Sequence, residues 1–87
     1  MTALMLASMS GHLEVACLLL EAGADKDCRD YDGRTALMLA SMNGHLEVVH
    51  LLLGAGAAKD CWDNSGNTAL MLGSGRGHSD VACLLLE

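Results

Sequence analysis

Short apolar segments alternate with short polar ones along this chain. Residues 3–9 are a run of good helix formers behind Thr2, whose hydroxyl can accept from the open N–H groups of a first turn. Gly11 offers the left-handed residue that ends such a helix. Leu13, Val15, Ala16, Leu18, Leu19 and Leu20 then make residues 13–21 apolar around most of a helix's circumference, which predicts a helix sandwiched between neighbours and closed by Gly23. From residue 24 to 34 the chain turns polar, with Asp and Gly at turn spacing. That predicts a hairpin-like excursion with Gly33 at positive φ. The plan recurs as helices at 36–42 and 46–53, a loop at 57–67, and helices at 69–75 and 79–86.

The recurrence is close to literal. Residues 2–34 laid on 35–67 agree at 24 of 33 positions, and 68–87 laid on 35–54 agree at 12 of 20. A fixed period of this length marks stacked supersecondary units. Helices of about two turns do not persist alone, so each pair needs a neighbouring pair to bury against.

The period of 33, the two helices and the loop motif Asp-x-x-Gly-x-Thr together resemble the ankyrin repeat. Asp30, Gly33, Thr35, Leu37, Ala40, Gly44, His45, Val48, Val49, Leu52, Leu53, Gly56 and Ala57 carry the resemblance, which covers essentially the whole chain. It implies an all-α solenoid of helix–turn–helix pairs joined by hairpin-like loops, in one domain over 1–87 with repeats at about 1–29, 30–62 and 63–87. It also implies binding of another protein through a concave face of hairpin tips and first helices. Two departures stand out: Met5, Met38 and Met71 replace the family's loop-tying His, and Lys26 and Lys59 replace an apolar residue. The first predicts less rigidity between repeats, and the second looser feet to the hairpins.

Charge narrows the partners. Eleven acids against 5 bases give a net charge of −6, which argues against a nucleic-acid backbone as ligand. No apolar run approaches the roughly 18 residues of a membrane span, and no charged segment precedes an apolar leader. The 4 cysteines form no CxxC pair, so a reduced, intracellular chain is expected. No nucleophile with a base, carboxylate pair or phosphate loop is recognisable; Gly73, Gly75 and Gly77 fall inside a repeat without a following Lys-Ser/Thr. The chain is therefore expected to be neither an enzyme nor a carrier of a cofactor or metal.

His12, His45 and His78 recur once per repeat, and stacking separates equivalents by roughly 8–10 Å, too far to share a metal. The resemblance makes them structural, bonded to backbone at the inter-helix turn. Cys17, His50 and Cys83 form a similar ladder, and Cys28 and Cys61 another, expected to be free of metal and disulfide. Met5, Met38 and Met71 are expected in the core between repeats, and Met9 and Met42 on the surface.

The positions that break the repetition are the more informative ones. They lie in and beside the loops: Arg29 against Trp62, Tyr31 against Asn64, Asp32 against Ser65, Arg34 against Asn67, and Ser10, Asn43 and Arg76 at the first-helix ends. Tyr31 and Trp62 are the only aromatics, and Trp, Tyr and Arg dominate interface energetics. With Met9 and Met42, these residues form the expected partner-binding set. The outer repeats keep the interior's leucines where a capping repeat would be polar, so the chain is expected either to continue a longer array or to self-associate end to end.

Overall fold

A computed structural model describes all 87 residues, Met1–Glu87. It has six helices: α1 (Ala3–Ser10), α2 (Leu13–Glu21), α3 (Ala36–Met42), α4 (Leu46–Gly54), α5 (Ala69–Gly75) and α6 (Ser79–Leu86). Each lies where the apolar periodicity places it, with α1 and α4 one residue longer at the C-terminal end. There is no strand; a single antiparallel bridge joins Trp62 and Thr68. No helix is long and apolar enough to cross a membrane.

The helix starts follow from three threonines. Thr2, Thr35 and Thr68 have extended backbones, and their side chains accept from Met5, Met38 and Met71 N–H at 3.2, 3.3 and 3.3 Å. These bonds satisfy donors that no preceding turn can reach. A left-handed glycine then reverses the chain between the helices of each pair: Gly11, Gly44 and Gly77, at φ 76°, 74° and 80°.

The helices form two layers. In the first, α3 packs against α1 on one side and α5 on the other; in the second, α4 lies between α2 and α6. Small residues let the first layer close up. Ala7 and Ala40 are buried, and a Cβ at Gly73 would stand 3.3 Å from both Ser41 O and Val81 Cγ1. Central α3 is consequently buried at every residue.

Three expectations of burial change at this point. Met42 is only 9% exposed, because α5 covers the late turns of α3, so it is a core residue. Met71 is 53% exposed, unlike buried Met5 and Met38, because nothing packs on the outward side of α5. Helix α2 is not sandwiched: Val15 and Leu18 are exposed, and only Ala16 is fully buried, since α1 and α4 pack on it and its remaining side is open.

Candidate partner-binding face

Each loop between repeats is organised by one aspartate. Asp30 Oδ1 accepts from the backbone N–H of Asp32 and Arg34, both at 2.9 Å, while Asp30 N donates to Arg34 O at 3.0 Å. Asp63 repeats the arrangement, with Oδ1 accepting from Ser65 and Asn67 N–H at 2.9 Å and its own N–H reaching Asn67 O at 2.9 Å. Such aspartate turns pre-form the backbone and hold the residues between them outward. Asp63 is buried, and its carboxyl lies below the usual carboxylate range. The Asn67 N–H is the main cause; Ser65 N–H and the Arg34 guanidinium add to it, and burial opposes it.

The two tips are also tied to each other. Asn64 N donates to Asp32 O and its Nδ2 to Tyr31 O, both at 2.9 Å. Arg29 Nη1 donates to Trp62 O at 2.8 Å, and Arg34 Nε to Asp63 Oδ2 at 3.4 Å. At the foot of the loops, Ala58 N donates to Asp27 Oδ1 at 3.1 Å. These bonds tie neighbouring loops at tip and foot despite the Met and Lys departures.

The expected binding residues fall into three groups. Ser10, Arg29, Tyr31, Asp32, Trp62, Asn64, Ser65 and Arg76 are exposed, with Tyr31 at 99% and Trp62 at 64%. Met9, Arg34, Asn43 and Asn67 are half-buried. Met42 lies inside, so it leaves the surface. Several carry internal duties: Asn43 Nδ2 donates to Leu39 O at 2.9 Å at the end of α3, and Arg29, Arg34 and Asn64 tie the tips. With α3 wholly covered, the exposed candidate residues lie on the tips and at the ends of the first helices.

Sequence reasoning missed the depression beside Trp62, about 460 Å³, walled by Arg29, Lys59, Asp60 and Cys61. It also missed that Asp30 and Asp63 are the hubs of the loops, although both stand in the quoted motif. Tyr31 and Trp62 thus project from backbone fixed by the neighbouring loop, and Trp62 borders a hollow with charged walls.

His45 and His78 are structural, as the resemblance implied, whereas His12 is exposed and makes no such bond. His45 Nε2 pairs with Met9 O at 2.9 Å and His78 Nε2 with Met42 O at 3.1 Å, each reaching the repeat before its own. All four cysteines are free thiols. Cys17 donates to Glu21 Oε2 at 3.4 Å and Cys28 to Asp25 Oδ2 at 3.3 Å. Cys17, His50 and Cys83 do not converge, and no three His, Cys, Asp or Glu side chains come together as a metal site would require.

Two layers of short helices, a left-handed glycine inside every pair and aspartate-centred hairpins between pairs define a stacked helix-pair repeat protein. The sequence model of ankyrin repeats (three copies) matches residues 4–87, and the chain belongs to that family. Ankyrin repeats serve generally as protein–protein interaction modules, typically without enzymatic activity. Among curated proteins, none matches the sequence.

Proposed function

We propose that the chain is an intracellular protein-binding module, one domain over residues 1–87, whose contact surface is the pair of loop tips and the adjoining first-helix ends. The observation that carries this reading is the placement of both aromatics. An aliphatic core of Leu, Val, Ala and Met uses neither, yet Tyr31 and Trp62 stand exposed on backbone already fixed by inter-loop bonds. A rigid aromatic contact loses little conformational entropy on binding. Arg29, Asp32, Asn64, Ser65, Ser10 and Arg76 supply a polar surround, with Met9, Arg34, Asn43 and Asn67 at its half-buried edge. The test is a pulldown comparing the wild type with a Tyr31→Ala/Trp62→Ala variant. An anchoring Trp62 is worth about 2 kcal/mol or more of affinity. Undiminished binding by a folded variant rejects the reading.

A second reading, end-to-end self-association, is favoured by one relationship. The pocket over Gly11 is filled by the His45 ring and that over Gly44 by His78, whereas Gly77 has nothing within 4 Å and His12 is exposed. Leu6 and Leu18 are exposed on the outward side of the first repeat, and Met71 and Leu86 on that of the third. A second copy placing His12 over Gly77 would continue the stack head to tail. Sedimentation over a concentration series tests it: growth reduced by His12→Ala supports the contact, and a constant monomer rejects it.

A further inference from the structure

The charge of this molecule is unevenly divided between its layers. All five bases lie outside the second layer: Lys26, Arg29, Arg34 and Lys59 in loops, and Arg76 at the end of α5. The second layer carries Glu14 and Glu21 on α2, Glu47 on α4, Asp80 on α6 and Glu87 just beyond it. Five of the six net negative charges therefore sit on or just beyond α2, α4 and α6, and the remainder of the chain is nearly neutral. This is the face opposite the first-helix layer, and neither Tyr31 nor Trp62 belongs to it.

A groove of about 550 Å³ runs between α4 and α6 on this face. Leu46, Leu51 and Leu84 give it an apolar lining, and Glu47, Asp80 and Glu87 add three carboxylates. Lys59, in the loop, donates to the Glu87 backbone carbonyl at 3.2 Å, and the side-chain carboxylates of Glu47 and Asp80 have no basic partner. His50 and Leu51 also line a second groove, of about 450 Å³, between α2 and α4, so the apolar surface continues across the layer past Glu21.

We infer that this groove docks a basic amphipathic helix from a partner protein, with its apolar side chains on Leu46, Leu51 and Leu84 and its Lys or Arg side chains at Glu47, Asp80 and Glu87. Charge complementarity selects the partner: a lone apolar groove accepts any hydrophobic segment, but one edged by the unpaired carboxylates of Glu47 and Asp80 repels an acidic one. A helix is the fitting form, because the face offers no strand edge to satisfy an extended peptide's backbone, whereas a helix satisfies its own. The surface is distinct from the loop tips, so one chain carries two independent contacts.

Cys83, exposed in the groove, is a built-in reporter, and Cys28, at the foot of a loop, is its internal control. The probe is a synthetic amphipathic peptide of about 14 residues with Leu and Lys at helical spacing, a length that presents roughly four turns. Its counterpart carries Glu in place of Lys. The expected result is that the Lys peptide slows thiol labelling of Cys83 but not of Cys28, while the Glu peptide changes neither. Glu47→Gln/Asp80→Asn should weaken binding roughly tenfold at low salt, with the difference shrinking as salt screens the pair. Circular dichroism checks that the variant retains its helices. Unprotected Cys83 at saturating Lys peptide, or equal affinity for the neutralised variant, overturns the inference. Binding lost in Trp62→Ala assigns the peptide to the loop tips and overturns it equally.

Discussion

His45 Nε2 stands 2.9 Å from the carbonyl oxygen of Met9, 36 residues earlier, and its ring lies across Gly11. A Cβ built on Gly11 would be 2.6 Å from Nδ1 of that ring. One contact therefore ties three features of the sequence: a left-handed glycine, a histidine one period later, and an unused carbonyl at the end of α1. The period in the sequence and the stacking in space are joined at this point.

Gly11 and Gly77 separate the two costs of a side chain there. Both have positive φ, 76° and 80°, but Gly77 has nothing within 4 Å. Gly77→Ala should cost only the left-handed strain, about 1–2 kcal/mol. Gly11→Ala should cost about 1 kcal/mol more, because the methyl displaces the ring and its hydrogen bond. In a His45→Ala background the two glycine substitutions should converge. Denaturant melts of the single and double variants check this cycle.

The aspartate turns predict how the fold meets acid. Asp63 has a depressed carboxyl pKa, caused first by the Asn67 N–H, and Asp25 likewise, caused first by the Asp27 N–H. A group whose folded pKa is lowered stabilises the fold above its unfolded value, about 3.9, and that contribution disappears as pH falls through the folded value. Stability should therefore be flat with respect to these groups near neutrality and decline below about pH 4. Asp63→Asn should be less stable than wild type at pH 7 and show a shallower decline in acid. Thermal melts across the range decide; parallel curves would remove Asp63 from the explanation.

The architecture was legible in the sequence because the repeat states it nearly three times, and copied Thr, Gly and Leu positions specify the same local geometry each time. Burial at particular sites was not, because equivalent residues lose their equivalence wherever a neighbouring repeat is missing. Met38 and Met71 occupy one repeat position, yet α5 covers the first and nothing covers the second. Val15 and Val48 differ in the same way. Within the candidate surface, the exposure of Tyr31 and Trp62 followed from their place in polar loops. The bonds that hold them, from Asn64 and Arg29, join positions that the 33-residue period already sets against each other, but contact between those positions follows only from stacking the repeats.

The thiols should react in an order set by their partners. Cys17 and Cys28 both have raised pKa values, caused first by hydrogen bonds to Glu21 and to Asp25. A raised pKa lowers the thiolate fraction at neutral pH, and the thiolate is the nucleophile. Exposed Cys83 should therefore be alkylated before Cys28 at pH 7, and Asp25→Asn should accelerate Cys28 alone. Peptide mapping after timed iodoacetamide quenching reads the order. After unfolding without reductant, all four thiols should titrate.

Ser8, Ser41 and Ser74 share one repeat position but three environments, and this makes a controlled comparison. Ser41 Oγ is buried and donates to Leu37 O at 2.6 Å; Ser8 Oγ is equally buried and has no partner; Ser74 is exposed. A buried hydroxyl without a hydrogen bond costs about 1–3 kcal/mol in lost solvation. Removing it at Ser8 should relieve that cost, so Ser8→Ala should stabilise the fold by roughly 1 kcal/mol. Ala also favours helices over Ser by a few tenths of a kcal/mol wherever it is placed, and Ser74→Ala measures that background. Ser41→Ala should fall below the background, because it sacrifices a made bond. The expected order of stability gain is Ser8, then Ser74, then Ser41, read from urea midpoints at constant m-value. If Ser8→Ala gains no more than Ser74→Ala, the Ser8 hydroxyl is not unsatisfied in solution.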